Sequence, residues 1–205
     1  MTENICLAFT GASGMPYGMR LLECLLAAGC RVQLLYSQVA QIVARQEMDL
    51  DLPARASDAR ILLRERYRTL PGILDVYGRD EWFAPVASGS NPPDAMVVCP
   101  CSMGTLAAIS QGLASKLIER AADVVLKERR PLILVPRETP LSAIHLENML
   151  RLVRAGVVIL PPNPGFYHRP QRVEDLVDFV VARILDQLRV PHTLIERWGE
   201  AGRAS

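Results

Sequence analysis

Residues 5–16 read ICLAFTGASGMP, an apolar run that passes through small residues to a proline. The uninterrupted apolar stretch at residues 5–9 is typical of a strand buried on both faces, as in parallel sheets. Residues 11–14 predict a tight turn, and Pro16 suits the first turn of a helix. The segment therefore predicts the first strand, turn and helix of a fold in which strands and helices alternate.

The same alternation continues along the chain. Further buried strands are predicted at residues 32–36, 95–99, 132–135 and 157–160. Helices are predicted after Ser37 and after Thr105, and at residues 51–70, 115–129, 141–154 and 172–189. Strands that alternate with helices indicate a parallel sheet covered on both faces. We predict a single α/β domain over residues 1–205, a Rossmann-like (flavodoxin-like) three-layer sandwich with a mainly parallel sheet.

The composition is that of an ordinary globular domain, with 205 residues, of which 50% are hydrophobic and 22% charged. The balance of 23 Lys and Arg against 22 Asp and Glu leaves a net charge of +1. So small a charge disfavours nucleic-acid binding through bulk phosphate neutralisation. The chain has no apolar run of about 18 residues, so we expect no membrane span.

The cysteines and the N-terminus point to a reducing compartment. Five cysteines are an odd number and lie in apolar segments, which makes a poor disulfide framework. Residues 1–10 carry Glu3 and no basic leader before their apolar stretch, which argues against a secretory signal. Cys99 and Cys101 have no second pair, and the three histidines lack metal-ligand spacing. We expect a cytoplasmic protein with reduced thiols and no bound metal.

Three predicted strands lead into small or hydroxyl-bearing residues directly before a helix: residues 11–14, Ser37 and residues 102–105. In a doubly wound sheet, ligands bind outside the carboxyl ends of the strands. Helix-start N–H groups, serine hydroxyls and the close approach that glycine allows favour a phosphate there. Ser13 interrupts G-x-G-x-x-G and no P-loop is present, so a single phosphate fits better than a pyrophosphate. A purely structural role for these turns stays open.

Arg137 and Glu138 follow the strand predicted at residues 132–135, between two prolines that stiffen the turn. They would therefore reach the same edge of the sheet as the three small-residue turns. A carboxylate beside a bound phosphate is repelled unless it is protonated, and a protonated carboxyl is what a general acid requires. The alternative is a surface ion pair that also caps the following helix.

Other candidates lie on the later helices. Arg120 and Lys127 are two helical turns apart and project from one helix face. Arg183 lies at the border of an apolar stripe, so it either snorkels into solvent or, with Tyr167, reaches the anionic end of a substrate. Trp198 can fill a core or stack on a planar ligand.

Several long runs, taken in order and spacing, resemble the UbiX-type flavin prenyltransferases over roughly residues 5–200. These runs are GASG at 11–14, CPCSMGT at 99–105, ERAAD at 119–123 with KERRP at 127–131, VPRE at 135–138, HLENM at 145–149 and PGFY at 164–167. The resemblance implies an enzyme that transfers a dimethylallyl group from dimethylallyl monophosphate to N5 and C6 of reduced FMN. It further implies release of prenylated FMN to a UbiD-type decarboxylase, for example in ubiquinone biosynthesis, and assembly as a dodecamer.

The resemblance also assigns residues. The implied FMN contacts are Gly11, Ala12, Ser13, Ser37, Ser102, Met103, Gly104, Thr105 and Arg137. The implied substrate contacts are Tyr167, Arg183, Lys127, Arg120 and Trp198. The implied catalytic residues are Glu138, Ser13, Lys127 and Glu47, an acidic residue expected near the flavin. Residues of about 190–205 are expected to contact a neighbouring subunit, whose side chains could complete the pocket.

The expected chemistry needs no metal, because several cations face a monophosphate and the sequence has no clustered Asp motif of the kind that holds Mg²⁺. Two alternatives remain. One is an FMN-dependent decarboxylase or carboxy-lyase. The cysteine-decarboxylating branch of that group uses an active-site histidine and a Met-Asn clamp that holds the substrate. This chain instead has Arg137 and Glu138 at the clamp position and no histidine at residues 71–100. The other is a non-catalytic FMN carrier, which would need the three turns but neither Glu138 nor the cations.

Overall fold

A six-stranded sheet organises the chain in the computed structural model, which describes residues 3–195. The strands are β1 (Asn4–Phe9), β2 (Arg31–Tyr36), β3 (Ile73–Tyr77), β4 (Ala95–Cys101), β5 (Leu132–Pro136) and β6 (Val158–Ile159). Their order across the sheet is β3-β2-β1-β4-β5-β6, and all five pairings are parallel. This is the strand order of the Rossmann fold, so the predicted fold class is confirmed.

Seven helices of the described residues cover the two faces of the sheet. They are α1 (Met15–Ala27), α2 (Gln38–Met48), α3 (Ala56–Arg66), α4 (Met103–Ser110), α5 (Leu117–Lys127), α6 (Ala143–Arg154) and α7 (Val173–Leu188). The core on one face is formed with α1, α2, α3 and α7, and the core on the other with α4, α5 and α6. Side chains alternate along β1: Leu7 faces the first core and Ala8 the second, so both faces of the strand are buried.

The edge strands differ most from the prediction. The sequence pattern predicts no strand at β3. Ile73–Tyr77 alternates buried and more exposed residues around the charged Asp75, so it lacks an apolar run. The strand predicted at residues 157–160 is only two residues long, Val158–Ile159. The helix predicted at 51–70 is shortened to Ala56–Arg66. Central strands were predictable because burial on both faces leaves a continuous apolar sequence.

The cysteines match the expectation of reduced thiols, since none of the five forms a disulfide. Burial raises the pKa of the Cys6 thiol to about 12 and that of the partly exposed Cys24 to about 11. These thiols therefore stay protonated and poorly nucleophilic at neutral pH.

Within residues 3–195, no helix has the length and apolarity needed to cross a membrane.

Gly18 lets α1 lie close against the central strands. A Cβ at this position would overlap the carbonyl oxygen of Cys99 and would lie 2.8 Å from a ring atom of Phe9. Both neighbours are fully buried, so neither can move without disturbing the core. The glycine is therefore required by packing between α1 and the sheet.

We expect Gly18→Ala to lower the free energy of unfolding by about 1–3 kcal/mol, because the added methyl overpacks the core. Urea unfolding measures the effect. The matched control is Gly104→Ala, whose added Cβ meets no atom within 4 Å, so its stability should be unchanged or slightly higher. Equal midpoints for Gly18→Ala and the parent protein would contradict this account of the packing.

Candidate functional site

The strand order switches between β1 and β4, and this switch places two turns side by side. The chain leaves β1 for β2 on one side and leaves β4 for β5 on the other. The helices that follow, α1 and α4, accordingly cover opposite faces of the sheet. A crevice outside the carboxyl ends of the strands is the general ligand position in such folds. Residues 11–14 and 102–105 lie at this crevice.

Two serines at this edge begin helices: α2 begins after Ser37 as the sequence predicts, whereas α4 begins at Met103, earlier than the predicted start after Thr105. The Ser37 hydroxyl accepts a hydrogen bond from the Ala40 N–H at 3.1 Å and caps α2. The Ser102 hydroxyl accepts from the Thr105 N–H at 3.3 Å and donates to the Thr105 hydroxyl at 3.0 Å, at the start of α4. A hydroxyl offers one donor and two acceptor positions, so Ser37 keeps its O–H for a ligand.

The first turn is shaped by close contact with α2. A Cβ on Gly11 would overlap the side chain of Val39, so only glycine fits at this position. Ala12 is buried behind the turn, whereas Ser13 is exposed. The turn therefore presents its backbone and the Ser13 hydroxyl at the carboxyl edge of the sheet.

Glu47 lies on α2 but acts on the first turn of α1. Its carboxylate accepts hydrogen bonds from the Gly14 N–H at 3.0 Å and from the Met15 N–H at 2.8 Å. A carboxylate at a helix N-terminus satisfies unpaired N–H groups and complements the helix dipole. These two N–H groups are consequently occupied by Glu47, which leaves less of this turn for a phosphate than the sequence suggested.

Arg137 and Glu138 follow β5 at the same edge. The Arg137 N–H donates to the Cys101 carbonyl at 3.4 Å, which places this turn beside Ser102. Both side chains are exposed. The ion pairs within residues 3–195 include neither of them, and the Glu138 carboxylate accepts a hydrogen bond from the Thr139 N–H at 3.1 Å. The alternative of a surface ion pair between Arg137 and Glu138 is therefore wrong for the single chain.

The residues gathered at this edge fit a flavin mononucleotide. A phosphate can be held by the N-terminus of α4, where a Cβ on Gly104 would meet only open space, and by the Arg137 guanidinium. A cavity of about 360 Å³ beside Ser37 and Val39 lies within the size range of small-molecule sites. Burial raises the pKa of the neighbouring Cys101 thiol to about 12, so this group stays neutral. The donor set therefore suits one phosphate, and the cavity beside Ser37 has room for the rest of a small ligand.

Lys127 and Arg120 lie elsewhere in the single chain. Lys127 is the last residue of α5, and its ammonium contacts Glu128 beside the backbone of Gly89. The Arg120 guanidinium donates to the Ala87 carbonyl at 3.0 Å and pairs with Asp123 at 2.7 Å. The two cations thus share one helix face, as the spacing predicts. That face turns toward the segment before β4. Lys127 ends α5 at the amino edge of the sheet, whereas Arg120 lies one turn after the start of α5, whose first residues line the cavity beside Ser37.

Tyr167 packs against α7, the helix that carries Arg183, on the other face of the sheet. The Tyr167 ring packs edge-on against Phe179 of α7, with the ring centroids 5.7 Å apart. Arg183 lies one helical turn after Phe179, on the same side of α7, and pairs with Asp186 at 2.7 Å. Both residues therefore lie along α7, and their joint contact with a substrate stays a prediction. Because α5 and α7 cover opposite faces, one chain cannot bring Lys127 and Arg183 together.

One residue of this edge was missed. Thr10 follows β1 directly, is 1% exposed, and links the two central turns through its hydroxyl. The available signal was a polar residue at the end of an apolar strand, where a buried hydroxyl must find partners.

Trp198 lies outside the described residues. No group of three His, Cys, Asp or Glu side chains suited to a metal gathers within residues 3–195.

The fold and the donor set define a flavin-binding α/β protein, and a family model described as Flavoprotein matches residues 1–185. The flavin prenyltransferase UbiX of Pseudomonas aeruginosa is 57% identical over 198 residues, 97% of this chain and 95% of that protein. This chain belongs to the UbiX flavin prenyltransferase family.

Two solved structures are similar over nearly the whole chain. The crystal structure of AnUbiX (PadA1) in complex with FMN and dimethylallyl pyrophosphate has a TM-score of 0.85 and 42% identity, and covers 97% of this chain and 98% of that one. A dodecameric FMN-dependent UbiX-like decarboxylase from Escherichia coli O157:H7 has a TM-score of 0.83 and 43% identity, and covers 95% and 98%.

We expect Glu47→Gln to lower the free energy of unfolding by about 1 kcal/mol, because a neutral amide binds the α1 N–H groups more weakly than a carboxylate does. Urea unfolding at neutral pH measures this. The control is Glu65→Gln, which removes an exposed pair with Arg68 and should change stability by less than about 0.5 kcal/mol. Equal effects of the two substitutions would contradict the capping role of Glu47.

Proposed function

We propose that this chain transfers a dimethylallyl group from dimethylallyl monophosphate to N5 and C6 of reduced FMN and supplies the prenylated FMN to a UbiD-type decarboxylase. Membership of the UbiX flavin prenyltransferase family carries the proposal. The carboxyl-edge turns support it, because their donors suit a mononucleotide. The FMN-dependent decarboxylase and FMN-carrier alternatives are not favoured, since the close relative is a prenyltransferase.

The carboxyl-edge residues would hold and orient the flavin. The N-terminus of α4, with Met103, Gly104 and Thr105, and the Arg137 guanidinium would bind its phosphate. Gly11, Ala12 and the Ser37 and Ser102 hydroxyls would line the crevice beside it. Ser13, exposed at the same edge, would donate a hydrogen bond near the reacting ring. When bound, reduced FMN supplies the electron-rich N5 and C6 to which the allylic carbons bond.

The cations and Glu138 would act on the leaving phosphate. Breaking the allylic C–O bond develops negative charge on the phosphate, which Lys127, Arg183 and Arg137 would stabilise. Glu138 would donate a proton to the departing phosphate. Tyr167 and Arg120 would help to hold the substrate, and Trp198 would stabilise positive charge on the isoprenyl fragment through its ring face. These interactions need no metal ion.

The complete site would be built from more than one chain. Lys127 and Arg183 lie on opposite faces of one protomer, so both can reach one flavin only if neighbouring protomers supply at least one of them. A dodecamer like that of the Escherichia coli relative provides such junctions. The proposal treats residues 1–205 as one domain. Its tail, residues of about 190–205, would contact a neighbour, and residues 196–205 of that tail lie outside the described residues. Five unpaired thiols agree with a cytoplasmic location.

The activity is tested by incubating purified protein with reduced FMN and dimethylallyl monophosphate and measuring the mass of the flavin. A mass increase equal to one dimethylallyl group is expected. A parallel reaction with dimethylallyl pyrophosphate, the compound in the AnUbiX crystal, measures the preference between one phosphate and two. An unchanged flavin mass with folded, FMN-binding protein would reject prenyl transfer.

We expect Glu138→Gln to slow prenyl transfer by about 10²–10⁴-fold while FMN still binds, because an amide cannot donate the proton. Single-turnover formation of the modified flavin measures the rate. Glu147→Gln, an exposed change on α6, serves as the control and should keep the parent rate. A parent-like rate for Glu138→Gln would remove Glu138 from the acid role.

A test of the shared site combines two variants that are each expected to be weakly active, Lys127→Ala and Arg183→Ala. If neighbouring protomers supply the two cations, oligomers co-assembled from equal amounts regain up to roughly a quarter of the parent activity, since that share of sites is intact. The chain carrying both substitutions is the control and should regain nothing alone. A mixture no more active than the separate variants would mean that both cations come from one chain.

A further inference from the structure

The ladder between β1 and β4 stops short of the two turns that flank the crevice. Its last paired residues are Ala8 and Val98. Further along β4, Pro100 has no N–H to donate, and the register of β4 against β5 shifts between Val98 and Cys101. Beyond the regular ladder, a single backbone bond joins the ends of β1 and β4, from the Thr10 N–H to the Pro100 carbonyl. A side-chain interaction at the turns themselves adds to it.

Thr10 supplies that interaction. Its hydroxyl donates to the Pro100 carbonyl at 2.8 Å and accepts from the Ser102 N–H at 2.7 Å, so it uses a donor and an acceptor position at once. Its own N–H also donates to the Pro100 carbonyl, at 3.2 Å. The side chain is 1% exposed, so water cannot replace these partners.

The hydrogen bond from the Ser102 N–H to the Thr10 hydroxyl lies at the start of α4. Ser102 is the N-cap residue, and its hydroxyl bonds both the N–H and the hydroxyl of Thr105. Fixing the Ser102 N–H therefore fixes the direction in which the N-terminal N–H groups of α4 point. At its other side Thr10 is bonded covalently to Gly11. The Thr10 hydroxyl, together with the backbone bond from the Thr10 N–H, thus holds the two turns at a fixed distance.

We propose that Thr10 is a positioning residue of the flavin site, which acts through Ser102 and Gly11 and does not itself touch the flavin. This inference rests on the proposed function, which identifies FMN as the ligand. It predicts that loss of the hydroxyl weakens FMN binding out of proportion to any loss of stability. Loss of the methyl group alone should not weaken binding.

The test compares Thr10→Val, which keeps the shape and removes the hydroxyl, with Thr10→Ser, which keeps the hydroxyl. Titration with oxidised FMN, followed by quenching of flavin fluorescence, gives the dissociation constant of the oligomeric protein. We expect Thr10→Val to raise the dissociation constant by about 5- to 100-fold, because the buried Ser102 N–H loses its partner. The dissociation constant of Thr10→Ser should stay within about 3-fold of the parent value.

The matched control is Ser110→Ala at the far end of α4. Ser110 is also buried, and its hydroxyl bonds Asn148 at 2.8 Å and the Ala107 carbonyl at 2.9 Å. This variant should melt at a lower temperature and bind FMN like the parent. Equal FMN affinity of Thr10→Val and Thr10→Ser, or an equal loss in Ser110→Ala, would overturn the proposal.

A measurement on the parent protein keeps the proposal testable should Thr10→Val fail to fold. Hydrogen–deuterium exchange of the peptide containing residues 100–106, without FMN, should show a slowly exchanging Ser102 amide. Fast exchange of that amide would overturn the proposal. A parent protein that binds FMN without prenylating it would contradict the proposed function and leave the comparison of the Thr10 variants valid.

Discussion

The pairing of β1 with β4 at the centre of the sheet is the constraint on which the candidate site depends. Because the chain departs from these neighbouring strands in opposite directions, α1 and α4 cover opposite faces and a crevice remains between their first turns. The regular ladder ends at Ala8 and Val98, and the Thr10 N–H and hydroxyl continue the connection to Pro100 and Ser102. Small residues, hydroxyls and helix N-termini collect there because each central strand leads through its turn into a helix.

The sheet that creates this crevice also separates the charges that a prenyl transfer needs. α5 carries Lys127 on one face, whereas α7 carries Arg183 on the other. A buried six-stranded layer lies between them, so no change of side-chain rotamer in one chain can join them. Assembly is therefore part of the proposed chemistry, and the dodecamer of a 43% identical relative is an arrangement that brings faces of different protomers together.

The central elements were predictable and the edges were not. β1, β4 and β5 are buried on both faces, which leaves continuous apolar runs in the sequence. β3 has one half-exposed face and a charged Asp75 that pairs with arginines, so its pattern resembles that of a loop. The helix start at Ser37 was predictable because capping is a local interaction between a side chain and the next turn of backbone. The start of α4 was predicted after Thr105, whereas Ser102 caps it at Met103.

The sequence by itself determined the fold class, the family and the carboxyl-edge turns, because apolar runs, caps and long motifs are local features of the chain. Only the tertiary structure decided that Glu47 occupies the first amides of α1, that Thr10 joins the central turns, and that Lys127 lies across the sheet from Arg183. Each of these depends on which residues, distant in the sequence, the strand order brings together, and hydrophobic periodicity carries no information about that order.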